Sequence, residues 1–268
     1  QAGRNFETFG EDPYLAGQIA VAYIKGMQAE NVIPSVKHFA ANNHEEFRHT
    51  IDVQADERTL HEIYFPAFKA AVQEANVWTV MASYNKLNGF YASENDYLLN
   101  EVLKKRWGFQ GLVMSDWGAV HSTVSTIKNG LDLEMPTNIH LNQETVKKAL
   151  ANKEITEKQI DGMIRRLLRV MFVSGVMEGK DKLNGSLDTP EHRQITRQTA
   201  TESLVLLKNK NKILPIDINK VRSIAVIGPN ADKARIGGGG SAQVTPFYTV
   251  SPLEGIKNLV GDKAKVEF

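Results

Sequence analysis

Between positions 32 and 150, short apolar runs alternate with polar clusters and with longer stretches whose apolar residues recur every three or four positions. The first run, Val32-Ile33-Pro34-Ser35-Val36, is followed at once by Lys37-His38. A stripe of Leu60, Ile63, Tyr64, Ala67, Phe68 and Ala71 then predicts a helix over 57–75. The second run, Val77-Trp78-Thr79-Val80-Met81, leads into Ser83-Tyr84-Asn85, with a helix predicted over 97–107. The third, Leu112-Val113-Met114, leads into Ser115-Asp116-Trp117, with a helix over 119–128. The fourth, 131–135, is closed by Pro136 and followed by helices over 143–151 and 157–173.

Strands that alternate with helices predict parallel βα units, and strands without polar alternation are buried on both faces. In such folds the chemistry gathers just past the carboxyl ends of the strands. Here three successive strands lead into clusters rich in titratable or aromatic residues. The texture changes at Gly175: 175–188 is polar, broken by Gly179 and Gly185, and suits a linker. Thr189-Pro190 reads as a helix start, a cap followed by Pro in the first turn, with the helix over 191–208. A buried strand over 223–227 ending in Gly228-Pro229-Asn230 opens a second α/β domain, so the domains are placed at 1–174 and 189–268. Gln1-Ala2-Gly3 runs straight into a dense polar and aromatic stretch, and Lys265-Val266-Glu267-Phe268 reads like a strand cut off in mid-course. Both ends suggest a segment of a longer protein.

Composition narrows the function classes. The 268 residues carry 32 Lys plus Arg against 31 Asp plus Glu, a net charge of +1, which offers no field for nucleic acid. No apolar run approaches the ~20 residues that span a bilayer, and no signal segment stands at the start. The absence of cysteine removes disulfides, thiolate catalysis and cysteine-ligated metals. The spacing of His38, His44 and His49 does not fit a zinc helix motif, and no metal is expected. The Gly237–Gly240 loop lacks the Lys-Ser/Thr ending of a phosphate-binding loop, and 224–228 lacks G-x-G-x-x-G, so no cofactor is expected either.

Asp116 is the first candidate. A carboxylate at a strand end can act as a nucleophile on an electrophilic sugar carbon, with Trp117 offering a ring face beside it; its other reading is a cap on the next helix. Lys37 and His38 suit hydrogen bonds to sugar hydroxyls, or His38 is an ordinary loop histidine. Arg4 and Glu7, with Glu11-Asp12, read as substrate contacts or as a structural ion network. Tyr84 reaches the same strand ends or packs in the core, Glu134 reads as a carboxylate salt-bridged in the sheet, and Arg58 with Glu62 reads as a helical ion pair.

These residues resemble the family-three glycoside hydrolases in their β-glucosidase branch. The resemblance rests on GRNFETFGEDP, KHFAANNHEEFRH, DERTLHEIYFPAF, MASYNKLNG, WGFQGLVMSDW, GLDLEMP, ATESLVLLKN, IAVIGPNAD, GGGGSAQVTP and SPLEGI, in that order along the whole chain. It implies an α/β fold, part of a (β/α)8-type barrel followed by the start of an α/β sandwich domain. It further implies a retaining exo-acting β-glucosidase whose nucleophile is Asp116, with Arg4, Lys37, His38, Tyr84 and Trp117 holding the terminal sugar of a β-glucoside or β-glucan oligosaccharide. The family's acid/base Glu falls past Phe268, and its sugar-binding Asp falls before the GRNFE segment. Alternatives are a non-catalytic carbohydrate-binding fragment, or a β-xylosidase or N-acetylglucosaminidase of the same family. The KHFAANNHE segment lacks the Pro-Gly-His-Gly pattern of the N-acetylglucosaminidase branch. The family favours a periplasmic or secreted location.

Overall fold

Asp12 accepts a hydrogen bond from the Leu15 amide at 2.7 Å and Pro13 fills the first turn, so the chain opens on a capped helix, α1 (Pro13–Ala29). The apolar pattern did not predict this helix; its signal was Asp-Pro, the cap and first turn used above for Thr189-Pro190. The computed structural model describes residues 3–179 and 185–268. The chain divides into two units, 1–183 and 184–268.

In the first unit α1 leads to β1 (Ser35–Phe39), β2 (Asp52–Val53), α2 (Glu57–Thr59), a π-helical turn (Leu60–Tyr64) and α3 (Pro66–Gln73). Next come β3 (Thr79–Ala82), a hairpin of β4 (Lys86–Leu87) and β5 (Phe90–Tyr91), a π-helix (Tyr97–Arg106) and β6 (Leu112–Trp117). The unit continues through α4 (Val124–Asn129), β7 (Leu133–Met135), α5 (Gln143–Ala151) and α6 (Glu157–Val173). The sheet order is β1-β3-β6-β7, and every pair is parallel, with Ser35 opposite Thr79, Thr79 opposite Leu112 and Met114 opposite Leu133. This is an α/β fold with four of the eight strands of a (β/α)8 barrel. Its core holds the fully buried Phe39, Phe65, Leu98, Leu99 and Val113. Phe39, Phe65 and Trp107 meet pairwise at 5.5–5.7 Å between ring centroids. Gly111 lets β6 approach its neighbour: a Cβ there would lie 2.1 Å from the Trp78 carbonyl oxygen.

Several predicted bounds shift, each for a local reason. Pro34 cannot donate to a ladder, so β1 starts at Ser35 and runs through Lys37 and His38, placing both within the strand. The expected helix over 57–75 is broken, because Pro66 has no amide and the Phe65 N–H closes on Leu60 in a five-residue turn. That turn rotates the helix face: Phe65 is buried and Ile63, expected on the core stripe, is 57% exposed. The helix expected over 119–128 begins only at Val124. Residues 118–123 form a loop, Gly118 at φ +74° and the Thr123 hydroxyl donating to the His140 carbonyl at 2.6 Å. The helices over 143–151 and 157–173 form as predicted.

In the second unit Thr189 caps α7 (Pro190–Glu202), accepting from the His192 amide at 3.2 Å. The helix stops short of the expected Lys208 because the Ser203 hydroxyl turns back to the Ala200 carbonyl. Strand β8 (Ser223–Ala225) pairs in parallel with β9 (Lys265–Glu267), and α8 (Pro252–Val260) crosses between them. Of the expected linker 175–188, residues 180–184 lie outside the described residues, as do Gln1 and Ala2; 176–178 form a short 3-10 turn.

Candidate active site

The buried strand β6 delivers Asp116 to the carboxyl edge of the sheet. Its neighbour Ser115 is tied to β7, accepting from the Met135 amide at 2.9 Å. Asp116 is only 8% exposed. Its Oδ1 accepts the Trp117 N–H at 2.8 Å, and its Oδ2 faces His38 Nε2, on β1, at 3.5 Å. The capping role does not apply to the next helix, which begins eight residues later at Val124.

Tyr84, two residues past β3, donates its hydroxyl to the Trp117 carbonyl at 3.1 Å. Burial pushes the Tyr84 phenol up to about 12, and the Asp116 carboxylate adds to the shift through its charge and a hydrogen bond. Tyr84 therefore keeps its proton at neutral pH. Burial also lowers the His38 pKa; the Lys37 charge works in the same direction, while Asp116 opposes both. The charges of Arg4 and Glu7 reach His38 as well, and those two side chains form an ion pair with each other. Lys37 itself is exposed and lines a groove with Glu7, Tyr23 and Ile24. Trp117 is 49% exposed and leaves a ring accessible at the rim.

The structure thus joins Asp116, His38, Tyr84 and Trp117 by direct contact, and brings Arg4 and Lys37 within electrostatic range. Arg48, missed from the sequence, and His49, weighed there only as a metal ligand, complete the cluster. The Arg48 guanidinium lies 4.6 Å from the centre of the Tyr84 ring, and the His49 ring meets the same ring edge-on at 4.3 Å. Arg48 is also paired with Glu45 at 2.9 Å. Their signal was a basic pair ending the KHFAANNHEEFRH segment, ten residues after Lys37-His38.

The other candidates separate from this group. Glu134 is not salt-bridged as expected: its carboxylate accepts from the amides of His140 at 2.9 Å and Leu141 at 2.6 Å. Arg58 and Glu62 pair at 2.9 Å on the surface. His38, His44 and His49 do not converge: His44 stacks on Phe47, while the other two face Asp116 and Tyr84. Chemically, the site offers a carboxylate with one oxygen fixed by an amide and the other toward an imidazole. A protonated phenol and an open indole stand beside it. That set can attack an electrophilic carbon and hold polar hydroxyls around it.

Residues 1–170 match the glycosyl hydrolase family 3 N terminal domain, and 204–267 match the glycosyl hydrolase family 3 C-terminal domain. The chain is similar to thermostable beta-glucosidase B of Acetivibrio thermocellus, 46% identical over 266 residues, covering 99% of this chain and 35% of that protein. A beta-glucosidase of Rhizobium radiobacter is 48% identical over 256 residues, covering 95% of this chain and 31% of that protein. Among solved structures, the beta-glucosidase of Kluyveromyces marxianus in complex with glucose superposes with a TM-score of 0.91 at 39% identity, over 99% of this chain and 33% of the other. The chain spans about a third of the length of the curated relatives it matches.

Proposed function

The chain belongs to glycosyl hydrolase family 3, and from that premise we propose that it carries the nucleophile of a retaining, exo-acting β-glucosidase. The reaction releases terminal β-D-glucosyl residues through a covalent glycosyl-Asp116 intermediate. The observation that carries the reading is the placement of Asp116: nearly buried, at a strand end, with Oδ1 held by the Trp117 amide and Oδ2 turned to His38.

Oδ2 attacks the anomeric carbon as the bond to the leaving oxygen breaks and that oxygen takes up a proton. Water then attacks the same carbon from the other face, the bond from that carbon to Oδ2 breaks to return the carboxylate, and water gives up a proton that replaces the one taken by the leaving oxygen, so two inversions retain configuration. No residue of this chain is assigned the acid/base role. Tyr84, protonated, donates beside the nucleophile. Neutral His38, with Arg4 and Lys37 as charged donors, binds the hydroxyls of the terminal sugar, and Trp117 receives the C–H face of its ring. Glucose as the sugar is supported by the beta-glucosidase names of the relatives and by the glucose complex of the Kluyveromyces marxianus enzyme.

The test is hydrolysis of p-nitrophenyl β-glucoside by the complete protein and by its Asp116→Ala variant. The expected loss in kcat is at least about 10³-fold, as for removal of other covalent nucleophiles. A variant that keeps near-native activity removes Asp116 from the reaction. Sugar binding without hydrolysis by the unaltered protein favours the non-catalytic carbohydrate-binding reading.

A further inference from the structure

A second ring cluster flanks the site, and none of the roles above uses it. His121, on the loop after β6, stacks on Tyr91 of β5 with ring centroids 3.5 Å apart and planes 16° from parallel. Lys86 Nζ lies 4.8 Å from the centre of the same Tyr91 ring. The cluster adjoins the nucleophile strand: His121 is four residues past Trp117, and it lies within electrostatic range of His49, which packs on Tyr84.

The loop does not need the imidazole to hold its place. The His121 backbone amide donates to Glu94 Oε1 at 3.1 Å, the Thr126 hydroxyl donates to the same oxygen at 3.0 Å, and the Ser93 hydroxyl donates to the Ala119 carbonyl. Backbone bonds fix the loop, yet the His121 side chain is exposed and backed by a packed aromatic ring. A flat ring that is already ordered costs little further entropy when it binds a second ring.

We infer that the outer face of His121, supported by Tyr91, is a platform for the leaving group, selecting glucosides whose departing part carries a ring. This rests on the reading of Asp116 as nucleophile, and makes His121 a specificity residue for that same site. A ring face is offered alike by an aryl group and by the C–H face of a second sugar, so both are tested.

The experiment compares the complete protein with its His121→Ala and His121→Phe variants on three substrates: p-nitrophenyl β-glucoside, cellobiose and methyl β-glucoside. His121→Ala is expected to lower kcat/KM about three- to tenfold on ring-bearing substrates, the size of one stacking contact. Methyl β-glucoside, which has no ring to lose, is expected to be unaffected, and His121→Phe to restore the loss. A fall on only one ring-bearing substrate supports the platform and identifies its source. An equal fall on all three substrates, no fall on any, or no rescue by Phe overturns the inference. A complete protein inactive on all three overturns the glucosidase reading itself, and the platform with it.

Discussion

The position of Asp116 is legible from the sequence because a buried apolar run carries it to a strand end beside an aromatic residue, and His38, Tyr84 and Trp117, which the motifs suggested, lie around it. Arg48 and His49 were not legible, because their place above the Tyr84 ring depends on the path of a loop rather than on a period. The Tyr84 hydroxyl bonds at once to a carbonyl and beside a carboxylate. Tyr84→Phe, which keeps the ring and removes that donor, is expected to lower kcat/KM on an aryl β-glucoside about 10- to 100-fold, the range for a hydrogen bond to a charged group. Circular dichroism is expected to stay unchanged. His38 gives a pH prediction. Its pKa is lowered in the folded state, first by burial and then by Lys37. The unfolded chain therefore takes up a proton near pH 6.5 that the folded chain resists, and stability is lost as pH falls below that point. Thermal unfolding of His38→Gln from pH 7 to 5 is expected to show a shallower fall in Tm than the unaltered chain; an equal slope assigns the loss to other groups.

At the scale of elements, the buried strands β3 and β6 lie at the centre of the sheet between the less buried β1 and β7, and one ion cluster fixes how β6 and β7 meet. Asp132, just before β7, accepts from Arg166 of α6 at 2.6 Å, from Lys104 of the π-helix at 3.3 Å, and from the Val113 amide of β6 at 2.9 Å. Burial pulls the Lys104 pKa down to about 8, although Asp132 resists the shift. Removing the shared carboxylate leaves two cations facing each other under the sheet. Asp132→Ala is accordingly expected to cost about 3 kcal/mol or more, as for other broken buried pairs, read by urea unfolding. A change within about 0.5 kcal/mol, as for an ordinary surface substitution, contradicts the clamp. Sequence periodicity could not reveal this cluster, since 97–107, 131–135 and 157–173 each look complete alone. The same limit explains the misplaced helix face at Ile63. A strict 3.6-residue period cannot anticipate the five-residue turn closed by Phe65 ahead of Pro66.

At the scale of the molecule, the alternation of strands and helices was legible as an α/β fold, and the ordered motifs were legible as family 3. Helix α1, the late start of α4 and the early end of α7 were not, because caps and loop hydrogen bonds decide them rather than apolar spacing. The chain covers about a third of its relatives, so the activity belongs to a test on the complete protein. The most direct one traps the intermediate. The complete protein is incubated with 2,4-dinitrophenyl 2-deoxy-2-fluoro-β-glucoside, digested and mapped by mass spectrometry. The fluorosugar is expected on the peptide that holds Asp116 and on no other carboxylate. A label on a different residue, or inactivation with no covalent adduct, contradicts the account.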